Sequence, residues 1–320
     1  MKAEQTVNTI YNHTDVDPHD RKSPDVARLT INENKVLESN TVPGLTVDVK
    51  ELPDGVEVKM DLEDYRVIEK PVHLCFGVIP EKGVQRIILD VVIGKHAKIT
   101  LKAHCVFPFA VDVQHLMNAK IRLKEGAVYS YFERHVHSES GGVTVVPKAE
   151  IQVGENARFK TEFELIKGRV GVIDIDYLTV AQKNALVDMT ARISGQADDV
   201  IKISEVSVLE GEYARAVLTS KVAVRNKAKA EIFNKISALA PHSRGHVDCK
   251  EIVKDEAIAI ANPIVDVRDA RAHVTHEAAV GSVDKKQLET LMSRGLNEDD
   301  ASELIIQGLL NPTSSLAGGS

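Results

Sequence analysis

The chain has 320 residues, 43% of them hydrophobic and 27% charged, a composition that argues against a disordered, collagenous or membrane-spanning protein. Lys and Arg number 40 against 47 Asp and Glu, and a formal charge of -7 with no basic patch argues against nucleic acid as a partner. Only 4% of residues are aromatic and none is Trp, so the core must be built from Val, Ile, Leu and Ala, which suit thin, regularly layered sheets.

The N-terminus, Met1-Lys2-Ala3-Glu4-Gln5, lacks the apolar stretch of a signal peptide, and no run approaches the roughly 18 apolar residues of a membrane span. A cytoplasmic protein without a membrane partner is therefore expected. Residues 1–44 are polar, with only short apolar stretches such as Val26-Ala27-Arg28-Leu29, and read as a loosely structured N-terminal arm. From 45 to 281 the pattern changes to short alternating runs, among them Val56-Glu57-Val58-Lys59-Met60 and Ile173-Asp174-Ile175-Asp176. Alternation over four to eight residues predicts strands, and no amphipathic helical pattern interrupts them, which disfavours a doubly wound α/β fold.

Inside this region a polar turn followed by Ala and a strand recurs, and Ala97, Ala127 and Ala157 come every 30 residues. Ala119 and Ala149 repeat in a second register at the same interval, and Ala185, Ala214 and Ala257 continue the series more loosely. A period near thirty with two strand signals inside it predicts one coil of a β-solenoid, in which a small residue at one corner lets successive turns stack closely. A β-sandwich, whose strands also come at regular spacing, is the competing fold.

After Gly281 the period becomes helical. Asp284 with Gln287 three residues on resembles a capping box, Leu288, Leu291 and Met292 form an apolar face, and Gly295 stops the helix. A second helix starts at Asn297 with the face Ala301, Leu304, Ile305 and Leu309, so 282–311 is expected as a helical hairpin. Residues 312–320 are expected as a mobile tail.

Chemistry is sparse. No phosphate-binding loop of the G-x-x-x-x-G-K-[ST] type is present, and His273-Val274-Thr275-His276-Glu277 matches no zinc-protease motif. His135 and His137 would share one face of a strand, a potential metal pair that reads more simply as two surface histidines. Three cysteines, Cys75, Cys105 and Cys249, give no C-x-x-C pair and no disulfide framework. The densest set of ligand-type groups is Arg244-Gly245-His246-Val247-Asp248-Cys249-Lys250-Glu251, followed about one coil later by His273, His276 and Glu277. If the first segment is extended, Asp248 lies on one face, and Cys249 with Glu251 on the other. Stacked coils would bring thiolate, imidazole and carboxylate together, a set suited to zinc or an iron-sulfur cluster. Cys249 as a small buried core residue is the plain alternative.

The runs Arg244-Gly245-His246-Val247-Asp248-Cys249, Thr275-His276-Glu277-Ala278-Ala279-Val280-Gly281, Leu291-Met292-Ser293-Arg294-Gly295-Leu296 and Ile305-Ile306-Gln307-Gly308-Leu309-Leu310 closely resemble the C-terminal half of the SufB/SufD family, above all its short archaeal members. The resemblance implies a right-handed parallel β-helix with a small C-terminal α-helical domain. It implies a non-enzymatic scaffold for iron-sulfur cluster assembly, acting as a dimer with the ABC-type ATPase SufC, which supplies ATP hydrolysis. It carries over Cys249, Glu277 and His276 as cluster ligands at the dimer interface, and Glu251 and His246, near Cys249 in the sequence, are expected as supporting groups. The hairpin residues Leu288, Leu291, Met292, Leu304 and Ile305 become candidates for SufC contact, or else pack the hairpin over the end of the solenoid. Two positions depart from the family pattern. Asn262 falls near the place of a SufD histidine, so that ligand is not carried over, and Thr275 replaces an acidic residue before the His-Glu pair. Cys75 and Cys105 are weak candidates for the cysteine that receives sulfur. A SufD-like structural subunit that holds no cluster is the alternative function, whereas a polysaccharide-active β-helix enzyme would need the sugar-stacking aromatics this sequence lacks.

Overall fold

In the computed structural model, which describes residues 3–311, two short helices come first, α1 (Ala3–Tyr11) and α2 (Pro18–Lys22). The antiparallel hairpins β1 (Arg28–Asn32)–β2 (Lys35–Asn40) and β3 (Leu45–Leu52)–β4 (Gly55–Leu62) follow. Then come β5 (Val72–Gly77), β6 (Lys82–Ile93), β7 (Lys98–Phe107), β8 (Asp112–Leu123), β9 (Val128–His137), β10 (Val143–Val153), β11 (Arg158–Lys167) and β12 (Val172–Ala181). The strands continue with β13 (Leu186–Gly195), β14 (Val200–Leu209), β15 (Arg215–Val224), β16 (Lys229–Ala238), β17 (Arg244–Val253), β18 (Ile258–Val267) and β19 (His273–Gly281). Helices α3 (Lys285–Met292) and α4 (Glu298–Leu310) close the described chain, and the expected mobile tail lies outside the described residues.

From β4 to β19 successive strands alternate between two sheets. One sheet runs β19-β17-β15-β13-β11-β9-β7-β5-β1-β2 and the other β18-β16-β14-β12-β10-β8-β6-β4-β3, with parallel pairing everywhere except the two hairpins. The fold is thus a parallel β-solenoid of two strands per coil with a small C-terminal helical region. Val113 lies beside Val143, Val172 beside Val200, and Arg215 beside Arg244, so the coil is 28–30 residues long. Along each strand the aliphatic set faces the other sheet, as in β16, where Ala230, Ile232 and Ile236 are buried and Lys229, Glu231, Phe233 and Lys235 alternate with them on the outer face. Burying one such Val or Ile contributes about 1.5–3 kcal/mol, and the stacking repeats that gain at every coil.

The predicted Ala series marks one corner. Ala97, Ala127, Ala157, Ala185 and Ala214 are fully buried there, and Ser243 takes the next place. The residue before each small one, His96, Gly126, Asn156, Asn184, Tyr213 and His242, has a positive φ of 53–67°, which turns the chain sharply between strands. Corner amides bond from coil to coil: His96 N donates to Glu125 O, Gly126 N to Glu155 O, Asn156 N to Lys183 O and Asn184 N to Glu212 O, at 2.8–2.9 Å. The side chains stack as well, Asn184 Nδ2 donating to Asn156 Oδ1 at 3.0 Å and the Tyr213 and His242 rings lying 4.9 Å apart. Ala257 does not belong to this corner. It follows Asp255, φ 61°, at the opposite corner one coil after Ala228.

The N-terminal segment differs from the loose arm expected for it. Val7, Ile10 and Tyr11 form one buried helical face that covers Cys75, Ile79 and Val106 on the outside of the sheet, and β1 extends that sheet beside β5. Spacing of i, i+3, i+4 over a nine-residue helix was too short a signal beside so many polar neighbours. The C-terminal hairpin begins as its capping residues predict: Asp284 accepts from Gln287 N and Asn297 from Asp300 N, both at 2.8 Å. It does not lie over the end of the solenoid. Ile306 and Leu310 of α4 pack against Ala223, Ile166 and Ile252 on the outer flank of the ten-stranded sheet, and Arg225 pairs with Glu303. Both strands of the last coil, β18 and β19, therefore keep a free edge.

Candidate metal centres

Around Cys249 the register sorts the candidate ligands by face. Val247, Cys249 and Glu251 point into the solenoid, while His246, Asp248 and Lys250 point out, the division the alternating sequence implies. In β19, His276 pairs with Val247 and so shares the inner face with Cys249, whereas Glu277 pairs with Asp248 and shares the outer one. Glu277 is exposed, with Lys250 Nζ 3.8 Å from its carboxylate, and His246 Nδ1 lies 2.9 Å from Thr275 Oγ1. Within one chain, then, Cys249, Glu251 and His276 share a face, and Glu277 and His246 lie across the sheet from them.

Cys249 is 0% exposed, and burial, with Glu251 next in weight, pushes its thiol up to about 12. Asn234 Nδ2 donates to its Sγ at 3.8 Å and to Ser220 Oγ at 2.8 Å. Glu251 has neither carboxylate oxygen hydrogen-bonded, and burial raises it to about 7. One coil back from Asn234 in the same sheet is Glu205, buried and raised to about 8. The lumen beneath the last coils is therefore polar, lined by Glu205, Ser220, Asn234, Cys249 and Glu251. Glu205, Ser220 and Asn234 were missed from the sequence. Their signal was a polar residue in the inward phase of an apolar alternation, as in Ile201, Ile203, Glu205, Ser207, Leu209.

A second polar group lies nearer the N-terminal end. His135 and His137, expected at the surface, are buried, because the inward phase of β9 runs Tyr129, Tyr131, Glu133, His135, His137. Cys105 is the register partner of His135, and His115 reaches across from the other sheet. One ligand atom from each of Cys105, His115, Glu133 and His135 lies within 4.8 Å of all the others. Cys105 Sγ is 3.6 Å from His115 Nε2 and donates to Glu133 Oε1 at 3.5 Å, and that oxygen is 2.9 Å from His135 Nε2. Burial drives the Cys105 thiol well up and the His115 imidazole well down from their ordinary values. Phe107 and Phe163 wall the group, with ring centroids 5.0 Å from His115 and 4.8 Å from His135. Cys75 is a different case, sealed under α1 with its thiol also raised to about 12.

On the hairpin, Leu304 and Met292 are 47% and 41% exposed, and Leu288, Leu291 and Ile305 are half-buried. The face that docks α4 on the solenoid is Ala301, Ser302, Ile306 and Leu310 instead. An open groove of about 660 Å³ runs between the hairpin and the ends of β17 and β19, lined by Glu251, Val280, Leu291, Leu304 and Ile305 among others.

The class of protein these residues build is a two-sheeted parallel β-solenoid with thiol, imidazole and carboxylate groups turned into its lumen and a helical hairpin on its flank. Residues 81–309 match the family described as SUF system FeS cluster assembly, SufBD core domain. An iron-sulfur cluster assembly SufBD family protein of Methanocaldococcus jannaschii is 38% identical over 283 residues, 88% of this chain and 90% of the relative. One from Pyrococcus horikoshii is 33% identical over 285 residues, 89% and 87% of the two chains. A second P. horikoshii protein of the same description is 28% identical over 76% of this chain and 54% of its own length. The chain belongs to the SufBD family of iron-sulfur cluster assembly proteins.

Proposed function

We propose that this chain is the scaffold on which an iron-sulfur cluster is built and handed on, and that it works in the cytoplasm as a homodimer with a SufC-type ABC ATPase. The observation that carries this reading is the placement of Cys249 in a polar lumen one strand from the free edge β19, with Glu251 and His276 on the same face. An isologous contact through the last coil repeats each of these groups across a two-fold axis, so two thiolates come near one cluster. Exposed Ile258, Ile260, Ile264, Val265 and Val280 on β18 and β19 support that contact. Glu277, on the outer face of one chain, serves as a ligand in this dimer by reaching the cluster from the partner side. Carboxylate and imidazole ligands hold iron less firmly than four thiolates, which suits a cargo that must leave.

The buried thiol of Cys249 is protonated at neutral pH, so iron must displace its proton and the last coil must open for loading. Energy for that opening comes from the ATPase, docked on Leu288, Leu291, Met292, Leu304 and Ile305 along the hairpin groove. The burial of Cys249 also favours a second reading, a SufD-like subunit that keeps the fold and the ATPase contact without holding a cluster. Anaerobic reconstitution with iron and sulfide separates the two. Cys249→Ala is expected to abolish the visible absorption of the bound cluster, and Glu277→Ala to make it labile. A native chain that takes up no cluster would leave the SufD-like reading, whereas absorption unchanged in both variants would keep the scaffold reading and place the cluster away from Cys249 and Glu277.

A further inference from the structure

We propose that Cys105, His115, Glu133 and His135 form a tetrahedral site for one divalent cation of the zinc or ferrous class inside the solenoid. This site is separate from the assembly site at Cys249 and does not depend on it.

The hydrogen bonds around the group fix which atoms carry protons. Gln85 Nε2 donates to the carbonyl oxygens of Glu33 and Gly77, at 2.9 and 3.2 Å, so its Oε1 is the atom that faces His115 Nδ1 at 3.0 Å. An amide oxygen only accepts, hence His115 carries its proton on Nδ1 and turns the Nε2 lone pair toward Cys105 Sγ. The same logic runs along the other strand. His137 Nδ1 donates to Arg169 O at 3.0 Å, and no carboxylate touches His137, so the buried ring is neutral with a lone pair on Nε2. That lone pair accepts from His135 Nδ1 at 3.2 Å, which leaves His135 Nε2 as the ring atom that faces Glu133 Oε1 at 2.9 Å, with one proton between the two.

Two imidazole nitrogens, a thiol sulfur and a carboxyl oxygen thus converge on one point. Each histidine is held by the far nitrogen in the way metal-ligating histidines are held. Zinc-ligand bonds of about 2.0–2.3 Å at tetrahedral angles put neighbouring donors about 3.3–3.6 Å apart. The Cys105–His115 and Cys105–Glu133 distances of 3.6 and 3.5 Å fall in that range, the Glu133–His135 pair, at 2.9 Å, must widen, and the other pairs lie within 4.8 Å. Glu133 Oε2 is buried with no hydrogen-bond partner, which a second bond or lean toward a cation would relieve. Charge also balances. On binding, the Cys105 thiol gives up one proton and the Glu133–His135 hydrogen bond gives up the other, so two negative ligands and two neutral ones surround a charge of plus two, and the dry interior holds a neutral complex. Sulfur and nitrogen donors in a tetrahedron select zinc or ferrous iron over magnesium and calcium.

Because the site is sealed, the ion enters as the coils close, and the test uses folding. The full chain carrying Cys249→Ala, which removes the other candidate thiolate, is unfolded with chelator and refolded anaerobically with Co²⁺. One equivalent is expected to bind, with the intense visible bands of a tetrahedral site and a thiolate-to-cobalt charge-transfer band. Cys105→Ser is expected to remove the charge-transfer band, and Glu133→Gln, which keeps the side-chain volume, to weaken binding at least tenfold. Metal analysis of the Cys249→Ala chain as purified distinguishes zinc from iron and is expected to give about one ion per chain. A refolded chain with native circular dichroism that takes up no cobalt, or bands that persist in both ligand variants, would overturn the site.

Discussion

A carboxylate in the inward phase of a strand changes how the protein responds to pH. Glu205 is raised to about 8 and Glu251 to about 7 from an ordinary value of 4.5, both chiefly by burial. A group whose folded pKa is raised holds its proton longer in the native state, so the native state binds more protons between the two values and stability falls as pH rises through them. The fold is expected to lose stability between about pH 5 and 8, by an amount on the order of a few kcal/mol. Glu205→Gln is expected to flatten this slope and to be more stable than the native chain at pH 8, as urea unfolding at several pH values would measure. The opposite sign holds at Asp15, whose carboxyl the His104 and Arg134 contacts hold below its usual range, and whose contribution disappears only in acid. At this scale the sequence was only partly legible. Cys249 and Glu251 sharing a face followed from alternation, but the burial of His135 and His137 did not, because imidazole is compatible with either side of a sheet and the deciding residues, His115 and Gln85, come from the facing strands.

At the scale of elements, the corner carries the repeat. A turn with a left-handed residue leaves room for only a small side chain next to it, and the coil-to-coil amide ladder holds neighbouring corners at one spacing. Ala157→Leu is expected to cost about 1–3 kcal/mol through overpacking of the fully buried corner, and to lower the urea midpoint without changing the slope. The Ala period made the solenoid legible because this steric demand recurs at every coil and admits only a small residue, Ala or, at 243, Ser. The helical hairpin was legible through its caps, which are local. Its docking on the flank was not, since Ile306 and Leu310 meet Ala223 only through tertiary packing, and α1 escaped because its apolar face is a single turn deep.

The whole molecule has two unlike ends. At the N-terminal end each sheet finishes in an antiparallel strand, β2 or β3, reversed against β1 or β4 and carrying exposed charges, Lys35, Asp48, Lys50 and Glu51, that blunt its edge. At the other end both sheets finish, among the described residues, in parallel strands with no further neighbour, and apolar side chains stand exposed on them. A free edge of that kind binds another strand unless charge blunts it. Val265→Lys, at the free end of the nine-stranded sheet, is expected to convert the proposed dimer to monomer in sedimentation equilibrium, and a dimer that survived the change would place the contact elsewhere. The asymmetry sets an upper limit on assembly. A solenoid open at both ends would add copies head to tail into a filament, whereas a chain with one blunt end and one sticky end satisfies both partners in a single encounter, and growth stops at two.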